Sequence, residues 1–258
     1  MYCDFPIQFD AEFADFHVQV ERKIGVRGWL RPQACFEFDG LEVFRPLPLE
    51  QAFPMFEWGL NWCVANFAHR YLMLHAAVLE RGGRGLVLPG NPGAGKSTLA
   101  AALMMRGWRL LSDEIALIGL ADGRLHGLGR PVSLKNASIP LIQGFDPAVE
   151  INTPSNDTAK GTVAHLRPTG DSVMRVAEPA NPRWTVFPRF VAGASLQSTP
   201  MGRAACFIRV AEISFNYSLL QAQGFHVLGG FIDRCSAFEL SYSKLDEAIS
   251  YFDDLSSR

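Results

Sequence analysis

Gly90-Asn91-Pro92-Gly93-Ala94-Gly95-Lys96-Ser97 matches the pattern G-x-x-x-x-G-K-[ST] at every position. Glycines in such a loop let backbone N–H groups close around phosphate groups, and the positive end of a following helix attracts the same anion. The lysine can neutralise charge between β- and γ-phosphates, while the serine hydroxyl can ligate Mg²⁺. Residues 90–97, called the glycine-rich loop below, therefore predict a phosphate-binding site.

The segments on both sides of the glycine-rich loop fit this prediction. Residues 71–79 and 85–88 are apolar runs joined by Gly82-Gly83, which is typical of a tight hairpin of two strands. After the loop, residues 96–106 have helical spacing of apolar side chains, and Gly107 follows as a stop signal. A strand, the loop and a helix are thus predicted in the order that phosphate binding needs.

An acidic pair follows the predicted helix. Residues 108–111 predict a strand beside the one that leads into the loop, so Asp113 and Glu114 fall at its carboxyl end, where open α/β sheets bind ligands. Two carboxylates near a triphosphate can hold a metal or accept the proton of an attacking hydroxyl. His75, in the preceding strand, either faces the same cleft or packs in the core.

The N-terminal part of the chain has a different pattern. Up to about residue 48, short alternating segments separated by turn residues predict a small antiparallel β unit. From Glu50 to Tyr71, aromatic and apolar side chains recur every three or four residues, which predicts an amphipathic helix of about five turns. We therefore expect two parts, residues 1–70 and 71–258.

The composition and net charge of the chain exclude some classes of function. Of 258 residues, 48% are hydrophobic, and 24 basic against 26 acidic residues leave a net charge of −2. A folded core is expected, and nucleic acid is not an expected partner because no basic surplus offsets its phosphates. Five scattered cysteines indicate a reducing compartment, and no apolar run reaches the roughly 18 residues of a membrane span. A cytoplasmic location is expected.

The order of these motifs resembles the catalytic domain of the bacterial HPr kinase/phosphorylase family. The resemblance lies in His75-Ala-Ala-Val, the glycine-rich loop and Arg106-Gly-Trp-Arg-Leu-Leu-Ser-Asp113-Glu114, with only sixteen residues between Lys96 and Asp113. The family's core is similar to that of phosphoenolpyruvate carboxykinase. Residues 213–248 further resemble a subgroup called HPr kinase-related kinase A, whose members accompany peptide-modification gene clusters.

The resemblance implies an α/β fold with a P-loop core. Together with the pattern of the N-terminal residues, the predicted architecture is this core with a small N-terminal β unit and a C-terminal helical extension. It also implies ATP and Mg²⁺ as cofactors. Asp113 and Ser97 would then hold the metal, His75 would lie near the transferred phosphoryl group, and Glu114 occupies the position of the proton acceptor. That position holds Asp in the family, so the base remains either Glu114 or Asp113. Nucleotide binding is assigned to Gly90, Asn91, Pro92, Gly93, Ala94, Gly95, Lys96, Ser97 and Thr98.

Two basic sets are candidates for binding an acceptor or the γ-phosphate. The first is Arg130 and Lys135, and the second is Lys160, His165 and Arg167. A solvated surface is an equally good interpretation of either set, although the chain has only five lysines. Residues 176–200 are rich in proline and predict a long connecting loop.

The sequence therefore predicts an ATP-dependent phosphotransferase that acts on a serine-type hydroxyl of a peptide or partner protein, from a peptide-modification gene cluster. Two alternatives stay open: a kinase for a small-molecule hydroxyl such as a free amino acid, and a nucleotide-sensing module without catalysis. Because members of the resembled family form hexamers, self-association is also expected.

Overall fold

A computed structural model describes residues 1–9, 13–23, 30–91 and 93–257. Seven α-helices and fifteen strands of these residues form a mixed α/β fold. In chain order they are β1 (Val18–Arg22), β2 (Gln33–Phe38), β3 (Leu41–Glu42), β4 (Leu47–Pro48), α1 (Ala52–Phe67), β5 (Tyr71–Arg81), β6 (Arg84–Pro89), α2 (Lys96–Met105), β7 (Arg109–Ser112), β8 (Ile115–Gly119), β9 (Leu125–His126), β10 (Val132–Lys135), α3 (Ser138–Phe145), β11 (Ser155–Thr158), β12 (Gly161–Leu166), α4 (Gly170–Met174), β13 (Asn181–Phe190), β14 (Gln197–Pro200), α5 (Arg203–Glu212), α6 (Tyr217–Arg234), β15 (Ser236–Tyr242) and α7 (Leu245–Ser257).

The largest sheet has eight strands and carries the glycine-rich loop at the end of a central strand. Its order is β14-β15-β13-β6-β5-β8-β9, with β7 paired to β5. The predicted hairpin of β5 and β6 is confirmed, and its turn residues Gly82 and Gly83 have φ of 59° and 78°. Strand β6 pairs with β13 in parallel and with β5 antiparallel, so the loop that follows it starts from the middle of the sheet.

Helix α2 has the predicted position and packs against this sheet. Its side chains Leu99, Leu103 and Met104 are buried in one cluster with Trp108. Each fully buried aliphatic side chain contributes about 1.5–3 kcal/mol relative to exposure. Gly107 follows the helix with φ of 89°, a conformation that glycine adopts without strain. The helix start is therefore fixed relative to the sheet by a dry core.

The predicted place of the strand before the acidic pair is wrong in one respect. Strand β7 pairs with β5 and not with β6, the strand that leads into the loop. The reason is that both edges of β6 are taken, by β13 and β5, whereas the eleven residues of β5 are long enough to pair with β6, β7 and β8. Asp113 and Glu114 nevertheless follow the end of β7.

The predicted connecting loop at residues 176–200 is also wrong, because most of it is sheet. Strand β13 lies between β6 and β15, and Trp184, Val186 and Phe187 are buried. The prolines of this segment predict a loop, because proline lacks the N–H that donates a hydrogen bond between strands. In the structure Pro182 lies at a register shift between β13 and β6, where the ladder is already irregular.

The C-terminal part is not a purely helical extension. It contributes β15, which pairs in parallel with β13 and antiparallel with β14, in addition to helices α5, α6 and α7. Helix α7 packs against α2 and completes the core through Phe252. Among the helices of the described residues, none combines the length and apolar character needed to span a membrane.

The N-terminal strands β1 to β4 form the predicted small antiparallel sheet, with Val18 opposite Phe38. Helix α1 packs on this sheet, and an added Cβ at Gly59 would lie 2.1 Å from the Phe36 ring. The helix ends at Phe67, before Tyr71 starts β5. Val64 on α1 shares a second cluster with residues of β5 and β8, so α1 contacts both sheets.

Candidate active site

The glycine-rich loop depends on glycine at two positions that the structure describes. Gly93 and Gly95 have φ of 88° and 90°, in the left-handed region. Gly95 directly precedes α2, and an added Cβ there would lie 2.9 Å from Tyr242 Oη. Both the backbone conformation and the space therefore require glycine at residue 95. Pro92, which the sequence assigns to the same site, lies outside the described residues.

Lys96 lies across the loop instead of pointing into solvent. Its Nζ donates to Gly90 O at 2.6 Å and to Asn91 O at 3.3 Å, and the side chain is 7% exposed. Burial lowers its pKa, and the charges of Asp113 and Glu114 act in the opposite direction. The ammonium group is thus held at the loop, close enough to the acidic pair to feel its charge.

Asp113 is buried beside the start of α2. Its Oδ2 accepts a hydrogen bond of 3.0 Å from the backbone N–H of Ser133. Burial and the charge of Glu114 raise its pKa to about 6, while the Ser133 N–H, Lys135 and the Ser97 hydroxyl lower it. The Ser97 hydroxyl therefore acts on Asp113, and Asp113 acts on Lys96, so the loop and the acidic pair belong to one site.

Glu114 has a different environment. Its Oε1 accepts from Lys135 Nζ at 3.0 Å, and its Oε2 accepts from Asn61 Nδ2 at 3.1 Å. Burial favours the neutral form, but Lys135, Lys160 and His75 together hold its pKa below the usual range. Glu114 is therefore a carboxylate at neutral pH, which is the form that can accept a proton.

A cleft of about 340 Å³ opens beside Glu114, with His75 and Lys160 on its lining. Its walls are mostly apolar and include Trp58 and Phe215. Lys160 is exposed, and its Nζ lies 5.5 Å from the centre of the Trp58 ring. Burial and the charge of Lys96 lower the pKa of His75.

The structure separates the five basic candidates for substrate binding. Lys135 and Lys160 face Glu114, whereas Arg130 forms an ion pair of 2.6 Å with Glu57 and contacts Asn61 Oδ1 at 2.7 Å. His165 is 1% exposed. Its ring meets that of Phe53 edge to face at 5.0 Å between centroids.

Arg167 lies apart from these groups. It forms ion pairs with Asp4, at 2.6 Å, and with Glu150. Those partners lie at a surface groove with Met104 and Pro168 and not at the cleft beside Glu114.

Helix α1 supplies site residues that the sequence analysis did not identify. Asn61 binds Glu114 and Arg130, and Glu57 binds Arg130. The available signal was two polar residues four positions apart in a mostly apolar helix, a spacing that places them on one face. Ser133 was missed for another reason: it acts on Asp113 through its backbone N–H, so its side-chain type carried no signal.

Comparison with known proteins gives one curated relative. A segment of 88 residues, 34% of the chain, is 31% identical to the HPr kinase/phosphorylase of Nitrosomonas europaea. The matched segment spans 25% of that relative's length. No protein-family model matches the chain.

A solved structure, the Hpr(Ser) kinase/phosphatase from Coxiella burnetii, aligns with 72% of this chain and 97% of its own at 13% identity. The TM-score of 0.29 is too low for that alignment to bear on the fold. The similarity to the kinase A subgroup stays a prediction. The resemblance to the HPr kinase family that the sequence predicts is confirmed over the matched segment of 88 residues.

Proposed function

We propose that the protein is an ATP- and Mg²⁺-dependent phosphotransferase that phosphorylates a serine-type hydroxyl on a peptide or partner protein. The observation that supports this most is that Asp113 interacts with both Ser97 and Lys96 of the loop, beside the anionic Glu114. A phosphate loop and a metal-binding acid must meet in this way to hold one nucleotide. The curated HPr kinase/phosphorylase relative supports the same class of activity.

The proposal includes a P-loop core of the HPr kinase and phosphoenolpyruvate carboxykinase type within residues 71–258, preceded by a separate part of residues 1–70. Nucleotide phosphates would lie against the loop residues 90–95 and the N-terminus of α2. Lys96 would exchange its bonds to the loop carbonyls for bonds to phosphate oxygens, because an ammonium group interacts more strongly with an anion than with a neutral carbonyl. Thr98, in the first turn of α2, is proposed to complete the nucleotide site.

The residues around Asp113 fit a magnesium ion. Mg²⁺ prefers oxygen ligands, and Ser97 offers a hydroxyl next to the Asp113 carboxylate. A carboxylate has about four lone-pair sites, of which the Ser133 N–H uses one. When bound, the ion supplies charge neutralisation at the phosphates. We assign its binding to Ser97 and Asp113.

Glu114 is the proposed base. The acceptor oxygen forms a bond to the γ-phosphorus, the bond between that phosphorus and the bridging oxygen of ADP breaks, and the acceptor proton moves to Glu114. Access supports this role, because Glu114 lines the cleft that would take the acceptor, whereas Asp113 is buried beside the Ser97 hydroxyl and does not line it. His75 would donate a hydrogen bond to the transferred group as its charge redistributes.

The cleft beside Glu114 supports a peptide as the acceptor. Its apolar walls, Trp58 and Phe215, suit an apolar side chain next to the hydroxyl residue, and the exposed Lys160 suits an acidic group. Phe215 is 47% exposed, so the apolar surface continues out of the cleft, as an extended peptide requires. A cleft of about 340 Å³ also accommodates a free amino acid, which keeps the small-molecule kinase as the second candidate.

Transfer of labelled phosphate from the γ-position of ATP tests the proposal. Purified protein with Mg²⁺ is offered serine peptides, free serine and the proteins encoded beside it, and products are identified by mass spectrometry. Transfer is expected for wild type and is expected to be lost in Lys96→Ala. Lys244→Ala is the matched control, since Lys244 pairs with Glu247 on the exposed side of α7. Equal transfer by Lys96→Ala and wild type would contradict the proposal.

A further inference from the structure

A small cavity lies behind the acidic pair. Its volume is about 20 Å³, and its lining includes Trp58, Asp113, Ser133 and His165. The four residues come from three places in the fold: helix α1, the end of β7, and the paired strands β10 and β12, where Ser133 is directly opposite His165. Three separate parts of the fold therefore border the cavity.

Polar atoms without partners are concentrated around this cavity. Seven buried side-chain nitrogen and oxygen atoms of the described residues make no hydrogen bond. Five of the seven belong to four residues of its lining: Trp58 Nε1, Asp113 Oδ1, Ser133 Oγ, and His165 Nδ1 and Nε2. A buried polar atom left unpaired costs about 1–3 kcal/mol, so this cluster indicates a ligand that its four residues share.

The charges around the cavity decide which ligand fits. The carboxylates of Glu57, Asp113 and Glu114 line the cavity and exclude an anion, while the guanidinium of Arg130 and the Trp58 Nε1–H, which can only donate, face a cation unfavourably. Burial lowers the pKa of His165 to about 4, so its ring is neutral at neutral pH. A neutral ligand is therefore favoured over an ion of either sign.

The volume and the hydrogen-bonding groups match a single water molecule. A water needs a cavity of about 10–15 Å³ or more and two to four polar partners. Trp58 Nε1–H and one ring N–H of His165 can donate to it, while Asp113 Oδ1 and Ser133 Oγ can accept from it. Two donors and two acceptors are the complement of the two lone pairs and two protons of water.

We propose that this cavity is a binding site for one structural water that links Asp113 to Ser133, His165 and Trp58, and that Ser133 and His165 position Asp113 through it. Asp113 Oδ2 is already fixed by the Ser133 N–H, and a second anchor at Oδ1 prevents rotation of the carboxylate. Ser133 and His165 are positioning residues, because neither lies on the cleft that would take the acceptor. The water site itself does not depend on the proposed function. Only the expected effect of Ser133 and His165 on catalysis rests on it.

A high-resolution crystal structure of the full chain tests the site without any assay of activity. The expected result is one water peak in the cavity, about 2.7–3.2 Å from at least three of the four groups. A dry cavity, an ion in place of the water, or direct hydrogen bonds among the four side chains would overturn the proposal.

Variants test the positioning role. Ser133→Ala and His165→Phe remove one partner of the water each, and we expect kcat to fall ten- to a hundredfold with KM for ATP unchanged. His165→Gln restores a donor and an acceptor and is expected to recover most of the loss. The matched control is Thr185→Val, which removes another unpartnered buried hydroxyl, located on β13 outside this cavity.

Unchanged kcat in both Ser133→Ala and His165→Phe would overturn the positioning role, and so would an equal loss in Thr185→Val. Ser133→Ala keeps the test valid if His165→Phe fails to fold, because it removes a single oxygen atom. If wild type transfers no phosphate at all, the proposed function fails while the crystal structure still decides the water site.

Discussion

Asp113 and Glu114 are neighbours in the chain but have opposite electrostatic environments. Burial dominates at Asp113 and raises its pKa to about 6, whereas Lys135, Lys160 and His75 outweigh burial at Glu114 and lower its pKa. The sequence identified both residues but left the base open between them. That choice depends on Asn61, Ser133 and Lys135, which come from α1 and β10 and reach the pair only in the folded chain.

Removing the charge of Glu114 tests its role as the base. Glu114→Gln keeps the size of the side chain but cannot accept a proton, so the transfer rate is expected to fall by about two to four orders of magnitude. Affinity for ATP is expected to stay close to that of wild type, because Glu114 binds Lys135 and Asn61 and not the loop. Single-turnover transfer and equilibrium ATP binding measure the two effects. A transfer rate equal to wild type would move the base to Asp113 or to water.

His165 makes the protein sensitive to acid. Its pKa in the folded protein is about 4 against an ordinary value of 6.5, so the unfolded chain binds more protons between these values. The free energy of unfolding therefore falls as pH is lowered from 6.5 towards 4, by about 3 kcal/mol from this residue. Urea unfolding of wild type and His165→Gln at pH 7 and near pH 4 measures the contribution.

The raised pKa of Asp113 increases the free energy of unfolding as the pH falls over part of this range. This contribution is present in both wild type and His165→Gln, so it cancels when the two are compared. His165→Gln is expected to lose less stability at low pH than wild type. The exposed His69, changed to Gln, serves as the control and is expected to behave as wild type. The same acid sensitivity in His165→Gln and wild type would show that His165 is not the cause.

At the scale of elements, local patterns predicted α2, the β5–β6 hairpin and the small N-terminal sheet. Their signals lie within a few residues: the turn glycines, the helical spacing and the alternation along β1 and β2. Strand β13 was missed because prolines are poor strand formers, although its burial between β6 and β15 outweighs that preference. The pairing of β7 with β5 depends on which sheet edges are free, and no local pattern reports that.

The junction between the glycine-rich loop and α2 is expected to be intolerant of a side chain. Gly95→Ala adds strain at φ of 90° and a contact of 2.9 Å with Tyr242 Oη, so it should lower the free energy of unfolding by more than about 1–3 kcal/mol, the range for the backbone alone. Gly107→Ala is the matched control, with φ of 89° and no atom within 4 Å of the added Cβ. Chemical denaturation of both variants separates the cost of the backbone conformation from the cost of the contact with Tyr242.

Removing the Tyr242 hydroxyl completes this test. Tyr242→Phe in the Gly95→Ala background takes away the contacting oxygen and is expected to recover the part of the loss that exceeds the Gly107→Ala effect. Equal destabilisation by Gly95→Ala and Gly107→Ala would contradict the close packing of Tyr242 on the loop.

At the scale of the whole molecule, the candidate site is assembled from distant parts of the chain. The loop and α2 supply Lys96 and Ser97, β7 leads to the acidic pair, and α1 supplies Asn61. The sequence predicted the loop and the acids because their motif is short and continuous. It could not predict the contribution of α1, since helical spacing reports which face is buried and not which residue that face meets.

Isothermal titration calorimetry of the full chain with ATP, with and without Mg²⁺, measures whether the glycine-rich loop and Asp113 bind the same nucleotide. We expect wild type to release or absorb binding heat with ATP and to bind more tightly when Mg²⁺ is present. Asp113→Asn is expected to keep ATP binding but lose the gain from Mg²⁺, because the loop is intact and the metal ligand is neutral. No heat for wild type with ATP and Mg²⁺, or an undiminished gain in Asp113→Asn, would contradict a shared triphosphate site.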